Sequence, residues 1–430
     1  MTRVEQISAV LIGFLLITIP FMMGDYKELA RLEIVIVGML LWVLLLWNGF
    51  AIFNEYKILS IFTFLLLAAI GLYAIPLPVE FIESLPGREV YGSVEEYNEL
   101  TLKTISLIPQ DTLLTLVYAS AMAAVFFTML SFSYQTIEKL LFVLGCIVIF
   151  QASLGIIQYA SGVDHFYIGM QEHGNTASGT YRNRDHYVAL LEMAIPFIVA
   201  FMSIKTKNQK SEILIGRVLG LSIVLILVVV ASILSGSRAG ITLAILGLML
   251  SVFIMSMQYG KLKSFGFIAV TFIVVIGVAA NIGVVSIINR FSVDPLEDLR
   301  WQIFNASEVA IQSMWPLGSG PGTFPEVFRM YQPLEMPRFI NHAHNDYYEL
   351  IFDLGIAGVG IIAGVFLIYG FRWLSLLRGG GDNKVQIAAG ISIALLMLHS
   401  YFDFNLYIPY NALVAIVVFS IFLKRDYKCS

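Results

Sequence analysis

The sequence has few charged residues and almost no cysteine. Of its 430 residues, 58% are hydrophobic and only 13% are Asp, Glu, Lys or Arg. A soluble protein of this length carries about a quarter charged residues, so the composition excludes a soluble globular fold. The two cysteines, Cys146 in an apolar run and Cys429 near the C-terminus, are too few and too far apart for a disulfide framework.

The common phosphate-binding motifs are also missing. The sequence has no Gly-rich phosphate loop, no dinucleotide-binding glycine fingerprint and no aspartate-rich motif that would hold a nucleotide sugar through a metal. Phosphate recognition would therefore depend on arginine. We expect no cofactor and no nucleic-acid partner. The compartment outside the cytoplasm lacks nucleotides. A transferase acting there would therefore need a donor that is carried by a lipid.

Apolar runs near the length of about 20 residues that crosses a bilayer recur along the chain. They predict an all-α polytopic membrane protein, with about twelve transmembrane helices in a single domain over residues 1–430. The predicted spans lie at about 7–23, 32–50, 58–76, 112–130, 138–160, 187–204, 216–234, 239–257, 265–287, 347–371, 385–403 and 406–423.

The basic residues predict an N-terminus in the cytoplasm, because 15 of the 26 Lys and Arg residues then lie inside. The inner set contains ten Lys and five Arg, whereas the outer set contains two Lys and nine Arg. Arginine suits bidentate contact with phosphate, so the asymmetry favours a phosphate ligand outside, although codon bias would produce the same pattern. Long outer loops are predicted at 77–111, 161–186 and 288–346, the last and largest between the ninth and tenth helices.

The largest loop contains a predicted amphipathic helix over Asp298–Ser313. Apolar side chains recur there at helical spacing. The predicted apolar side consists of Leu299, Ile303, Val309 and Ile311.

The densest group of ionisable residues lies where this loop meets the tenth span. The stretch reads His342-Ala343-His344-Asn345-Asp346-Tyr347-Tyr348-Glu349. Ionisable residues at a membrane edge are functional candidates, because placing them there is unfavourable. An imidazole can accept a proton from a hydroxyl group, so a general base is one interpretation. A metal site and a purely structural His–carboxylate pair are the alternatives.

Arginines lie at the outer ends of two other predicted helices. Arg182, Asn183 and Arg184 precede the sixth span, where guanidinium groups beside the free N–H groups of a helix N-terminus would bind an anion. Arg238 lies in the short turn before the eighth span, where a cation is unfavourable by up to about 2.5 kcal/mol at membrane depth. Interfacial anchoring, with a helix cap from a neighbouring serine, is the alternative.

Three further residues are candidates for supporting roles. His399 and Asp403 are four residues apart, so we predict that they share a helix face and form a structural hydrogen-bonded pair. Arg300 is a candidate ligand contact, but an ion pair between loop and helix is the more conservative interpretation.

Taken in order, these motifs resemble those of the O-antigen ligase/polymerase superfamily of bacterial membrane enzymes. They cover about residues 150–412, whereas the N-terminal third matches only in hydropathy. Asp185 stands where the family pattern has asparagine. The ligase signature is met by His344, Asn345, Gly355 and Gly358. Further similar stretches are Gly179–Glu192, Ser235–Gly240, Pro316–Phe324 and His399–Asn411.

The resemblance implies a GT-C-like enzyme in the bacterial inner membrane with its active site facing the periplasm. Such an enzyme transfers a glycan from undecaprenyl diphosphate to a sugar hydroxyl, with inversion and without a metal. The acceptor is lipid A-core in ligases and a second lipid-linked glycan in polymerases. In this hypothesis His344 is the general base, Arg184 and Arg238 bind the diphosphate, and Arg182 assists. The supporting residues are Asn183, His342, Asn345, Asp346, Arg300, His399 and Asp403.

Other functions stay open. A transporter or flippase for lipid-linked glycans would suit twelve spans, but transporters usually place their ligand groups at the bilayer midplane, within internal repeats. Here the polar groups cluster at one face and no repeat is visible. A protein O-oligosaccharyltransferase and a non-catalytic scaffold are further alternatives. The motifs do not choose between ligase and polymerase.

Overall fold

The structure is a computed structural model, and its described residues fold almost entirely as α-helices. It describes residues 2–22, 27–89, 101–161, 176–204, 211–257, 295–336, 339–379 and 383–425, together with the isolated residues 260, 266 and 277. Within these residues, one antiparallel ladder pairs the two-residue strands β1 (Leu77–Pro78) and β2 (Leu102–Lys103). The described helices are α1 (Arg3–Thr18), α2 (Lys27–Trp47), α3 (Ala51–Glu55), α4 (Lys57–Leu72), α5 (Val79–Glu83), α6 (Pro109–Ser131), α7 (Tyr134–Ser161), α8 (Arg184–Ser203), α9 (Ser211–Leu234), α10 (Arg238–Ser256), α11 (Pro295–Ser313), α12 (Phe324–Val327), α13 (Asp346–Leu354), α14 (Ile356–Gly379), α15 (Lys384–His399) and α16 (Pro409–Leu423).

Eight described helices are long and apolar enough to cross a membrane. They are α1 with the 3₁₀ turn that extends it, α2, α6, α7, α8, α9, α10 and α14. Helices α4, α15 and α16 are apolar but shorter. These helices coincide with eleven predicted spans, so the all-helical prediction is confirmed for the described residues. The span predicted at 265–287 lies outside them, and the total of twelve stays a prediction.

Helix α8 lies at the centre of the bundle and packs against α9, α10 and α15. After its polar first turn it is apolar on every face except at Glu192, as expected for a helix surrounded by other helices. Its residues from His186 to Met193 are all buried, including the carboxyl group of Glu192. Because α8 begins at Arg184, the central helix of the fold carries a candidate site residue at its first position.

The predicted span at 347–371 is wrong at its start, because the helix is interrupted at Gly355. Helix α13 ends at Leu354, and the long helix α14 begins at Ile356. Gly355 has a φ of 55°, and a Cβ atom there would lie 2.0 Å from the carbonyl oxygen of Pro316. Only glycine fits such a position without strain. The apolar run continues through the break, so hydropathy alone does not reveal it.

Helix α11 confirms the predicted amphipathic helix, although it begins three residues earlier, at Pro295. Its buried side contains Ile303, Ala306 and Ala310. The assignment of Val309 to that side is wrong, since Val309 is 59% exposed. At 100° per residue, Val309 lies about 240° around the helix from Ile303, away from the packed face.

Candidate active site

Three imidazoles surround the ring of Phe404. The ring centroids of His342, His186 and His344 lie 4.1, 4.6 and 4.9 Å from that of Phe404. His342 and His344 come from the loop before α13, His186 from the first turn of α8, and Phe404 from the turn after α15. The fold thus brings together residues from three distant parts of the sequence. His186, although part of a quoted motif, received no role from sequence reasoning.

His344 has an unusual backbone and an accessible side chain. With a φ of 51°, it is the one non-glycine residue in the described part of the chain with a positive φ. Such strain persists only where the surroundings enforce it, and it clusters at functional sites. Its side chain is 29% exposed, the largest value among the four described histidines. The next residue, Asn345, caps α13 by accepting hydrogen bonds from the N–H groups of Tyr347 and Tyr348.

Asp403 lies behind His344 and is buried. Its Oδ1 atom lies 3.3 Å from Nδ1 of His344, and its Oδ2 atom lies 3.3 Å from Nε2 of His186. Burial opposes ionisation, but the imidazoles of His186 and His344 hold the pKa of the Asp403 carboxyl well below its usual range. A carboxylate at Nδ1 orients an imidazole and leaves Nε2 as the proton acceptor.

His342 pairs with a different carboxyl group, that of Glu349, at 2.9 Å. The second oxygen of Glu349 accepts a hydrogen bond from the backbone N–H of Ala343 at 2.8 Å. Burial raises the pKa of Glu349 to about 8. Burial, together with the nearby charges of Lys27 and Arg31, lowers the pKa of His342 well below its usual range. With the pKa of Glu349 raised and that of His342 lowered, both groups are neutral near pH 7, so their contact is a hydrogen bond between neutral partners. Sequence reasoning gave Lys27 and Arg31 no role.

Two parallel helices present their N-termini side by side, and each begins with a candidate arginine. Arg184 is the first residue of α8 and Arg238 the first of α10. A Cβ atom at Gly240 would lie 1.9 Å from Cγ1 of Val188, so glycine is what allows the helices to approach so closely. This contact lies within about one helical turn of both arginines. The positive ends of two helix dipoles are therefore adjacent, which favours an anion there.

Each of these helix ends is capped by a side chain. Asn183 accepts a hydrogen bond from the N–H of Asp185 at 2.9 Å, and Ser237 accepts one from the N–H of Gly240 at 3.1 Å. The predicted serine cap beside Arg238 is thus confirmed. The caps satisfy only some of the free N–H groups at the helix ends, so uncapped N–H groups remain in the first turns that Arg184 and Arg238 begin.

Arg300 forms an ion pair with Asp185 at 3.3 Å. The two side chains are 30% and 17% exposed. This contact agrees with the loop–helix ion pair that was the conservative interpretation of Arg300, and it joins α11 to the first turn of α8. The carboxylate that departs from the family pattern is thus neutralised by a residue of the large loop.

Comparison with known proteins concerns the second half of the chain. Residues 223–363 match the family described as O-Antigen ligase. The predicted resemblance to the O-antigen ligase/polymerase superfamily is confirmed. The matched segment includes Arg238, Arg300 and His344, whereas Arg184 and Asp403 lie outside it. No curated protein matches the chain. The family and the apolar helices fit a multi-pass membrane enzyme that resembles glycosyltransferases and acts on lipid-linked glycans.

The glycines of the O-antigen ligase signature, Gly355 and Gly358, lie where α13 meets α14, and this junction is held by the stretch around Pro316. The N–H of Ile356, just after Gly355, donates to the carbonyl of Pro316 at 2.8 Å, and the N–H of Gly320 donates to the carbonyl of Asp353 at 2.8 Å. The turn-rich stretch around Pro316 therefore holds the break between α13 and α14. This contact fixes the direction of α13, whose N-terminus follows His344.

Two buried aspartates tie α13 to its surroundings. Asp346 accepts a hydrogen bond from the N–H of Leu406 at 3.2 Å, and Asp353 accepts one from the N–H of Gly322 at 2.7 Å. Burial raises the pKa of each aspartate well above its usual range. Their burial and backbone partners fit a structural function. Among the described residues, no group of three His, Cys, Asp or Glu side chains has an arrangement that could hold a metal ion.

The predicted pairing of His399 with Asp403 is wrong. Helix α15 ends at His399, and the chain turns there, so the side chains of the two residues do not meet along one helix face. His399 instead lies 3.0 Å from Glu192 of α8, and the exposed fractions of these side chains are 1% and 0%. This pair is fully buried inside the bundle and so cannot contact a substrate.

Proposed function

We propose that this protein transfers a glycan from undecaprenyl diphosphate to a sugar hydroxyl at the periplasmic face of the bacterial inner membrane. It would act as an O-antigen ligase or as a surface-polysaccharide polymerase. The observation that carries the proposal is the geometry of His344, a partly exposed imidazole on a strained backbone with a buried carboxylate at its Nδ1 atom. The O-antigen ligase match over residues 223–363 supports the reaction class.

In the proposed reaction, Nε2 of His344 takes the proton of the acceptor hydroxyl. The hydroxyl oxygen forms a bond to the anomeric carbon of the donor as the bond from that carbon to the diphosphate oxygen breaks. Attack from the face opposite the diphosphate inverts the anomeric configuration. Asp403 keeps the imidazole oriented and stabilises the imidazolium that forms. A base positioned in this way contributes roughly 100- to 10,000-fold to the rate.

The leaving diphosphate gains negative charge, which Arg184 and Arg238 would stabilise with assistance from Arg182. Their position at two adjacent helix N-termini adds backbone N–H groups and the positive helix ends to the guanidinium charges. Charge that is already in place where negative charge develops lowers the barrier without reorganisation. The reaction as proposed needs no metal.

The first test is transfer by purified protein in lipid vesicles, supplied with a lipid-linked glycan and an acceptor. Formation of a longer or newly attached glycan supports the enzyme. Movement of the lipid-linked glycan from one leaflet of the vesicle bilayer to the other, without transfer to the acceptor, would support a transporter and would contradict the proposal.

The second test separates ligase from polymerase in cells. A deletion strain is complemented with wild type or with His344→Ala, and its glycans are profiled. A ligase predicts that the variant loses all long glycan on lipid A while lipid-linked polymer accumulates. A polymerase predicts that a single repeat is still attached but no ladder forms. A normal profile with His344→Ala would overturn the catalytic assignment.

Replacing Arg238 by lysine tests the diphosphate contact. Arg238→Lys keeps the charge but loses the planar fork that binds two phosphate oxygens, so we expect the transfer rate to fall by about 10-fold. Arg329→Lys is the matched control, because Arg329 lies at the surface, 55% exposed, in an ion pair with Glu326. A wild-type rate in Arg238→Lys would support simple anchoring.

A further inference from the structure

A row of aromatic rings runs from α11 to α13. Trp301 and Phe304, one turn apart on α11, have ring centroids 5.8 Å apart. Phe304 stacks on Tyr348 of α13, with centroids 5.5 Å apart and ring planes 17° apart. We call Trp301, Phe304 and Tyr348 the aromatic row. Trp301 is 60% exposed and the other two are half-buried, with Tyr348 packed against the buried cluster that contains Ile303, so the row meets the solvent mainly at Trp301.

The aromatic row is connected to both parts of the proposed active site. Tyr348 lies in the first turn of α13, four residues after His344. Arg300, the neighbour of Trp301, forms the ion pair with Asp185 in the first turn of α8. One end of the row is thus joined to the loop of the proposed base, and the other to the helix end that carries the proposed diphosphate contact.

An exposed aromatic face beside a site of glycan transfer suits a sugar ring. One face of a pyranose presents C–H bonds with slight positive polarity, and the face of an aromatic ring is negative. Polar groups lie near both ends of the row: Arg300, the neighbour of Trp301 in the sequence, pairs with Asp185, and the carboxylate of Glu308 is within electrostatic reach of Tyr348. They offer partners for sugar hydroxyls.

Anchoring in the membrane interface is the usual alternative for an exposed tryptophan. The surface of α11 around the row argues against it. Gln302, Asn305 and Glu308 are exposed on the same helix, so the exposed surface around Trp301 is mostly polar, with Val309 as its apolar neighbour. A glycan needs this combination of aromatic faces and hydrogen-bonding groups, and a lipid chain does not.

We propose that the aromatic row binds the sugar chain of a substrate beside His344 and so favours substrates with more than one sugar unit. This inference rests on the proposed function for the identity of the ligand. The row takes no part in the chemical step, so it acts on substrate affinity and on the choice of glycan length.

The kinetic test compares lipid-linked donors that carry one sugar with donors that carry a complete repeat. In Trp301→Ala we expect KM for the complete repeat to rise by about 2- to 10-fold, because one aromatic contact is lost, while kcat stays near wild type. The KM for the single sugar should change less. Trp301→Tyr retains an aromatic face and should restore most of the loss. The matched control is Trp315→Ala, since Trp315 is 43% exposed beyond the far end of α11.

The binding test does not depend on catalysis. His344→Ala protein in detergent is titrated with oligosaccharide released from lipid-linked glycan by mild acid, and tryptophan emission is recorded. We expect tryptophan emission to change saturably with oligosaccharide concentration. This change should be lost in the double variant with Trp301→Phe and retained in the double variant with Trp315→Phe.

The two tests separate failure of the row from failure of the proposed function. If wild type transfers glycan but Trp301→Ala behaves as wild type at both donor lengths, the row is not a glycan site. If wild type transfers nothing but the emission still responds to oligosaccharide through Trp301, the proposed transfer is wrong, whereas glycan binding by the aromatic row is supported. Emission that responds to lipid vesicles but not to oligosaccharide would identify Trp301 as a membrane anchor and overturn the inference.

Discussion

Two histidine–carboxyl pairs have different properties in the structure, although a single residue separates their histidines, His342 and His344, in the sequence. His342 and Glu349 lie 2.9 Å apart, and their pKa shifts describe two neutral groups. His344 and Asp403 lie 3.3 Å apart, and the low pKa of Asp403 describes a carboxylate. The His342 side chain is 15% exposed, whereas that of His344 is 29% exposed. The same two chemical groups therefore form one structural contact and one candidate catalytic contact.

The comparison shows which features qualify a histidine as a base. A base needs an accessible nitrogen and a negative group behind the ring to stabilise the cation that forms. His344 has both features. His342 has its Nδ1 atom in a hydrogen bond with a neutral carboxyl, and the nearby charges of Lys27 and Arg31 oppose its protonation. Proximity in sequence thus says little about function, because the carboxyl partner decides it.

The largest effect is expected from replacing the two histidines in the same way. His344→Gln should reduce the transfer rate by roughly 100- to 10,000-fold, because an amide cannot take the proton of the acceptor. His342→Gln keeps a hydrogen-bonding group beside Glu349, so the rate per folded molecule should stay within a few-fold of wild type. Purified variants are compared in a transfer assay, with thermal unfolding to verify folding. Equal losses in both variants would refute the distinction between the pairs.

Amide substitutions of the two carboxyl groups should have the next largest effect. Asp403→Asn removes the charge behind His344, so we expect kcat to fall on the order of 10-fold or more, with an altered pH profile. Glu349→Gln should leave kcat nearly unchanged at neutral pH, because the carboxyl of Glu349 is already protonated there. The readout is kcat and KM across a pH series. An unchanged pH profile in Asp403→Asn would reduce Asp403 to a structural residue.

The sequence predicted the parts of this site that are contiguous in the chain. Hydropathy located the described apolar helices, since roughly 20 apolar residues in a row admit few other structures. The cap at Ser237 and the start of α8 beside Arg184 followed from local patterns. His344 and Asn345 could be selected because they are adjacent in a recognisable signature.

Contacts between distant segments could not be predicted in this way. Asp403 was paired with His399 on helical spacing, but the helix ends at His399 and the true partners come from α8 and from the loop before α13. The break at Gly355 depends on a contact with Pro316, which no local pattern reports. The neutral state of Glu349 follows from burial, and burial is a property of the fold. A single sequence therefore gives the residues of the site more readily than their partners.

The smallest expected effect concerns folding stability and the charge of Glu349. Its pKa is about 8 in the folded protein and about 4.5 when exposed, so the folded state holds a proton over that interval that the unfolded state releases. The free energy of unfolding contributed by this group is therefore greatest below pH 4.5 and falls as pH rises toward 8, by up to about 1.4 kcal/mol per pH unit. Glu349→Gln should remove this contribution.

We thus expect the melting temperature of wild type to fall more steeply than that of Glu349→Gln between pH 5 and 8, with parallel curves above pH 8. Other buried carboxyl groups, such as Asp346 and Asp353, titrate in both proteins and cancel in the difference. Arg329→Lys is the control and should keep the wild-type slope, because it changes none of the groups that shift the pKa of Glu349. Equal slopes in wild type and Glu349→Gln would mean that Glu349 is ionised in the folded protein, and the contrast between the two pairs would then rest on exposure alone.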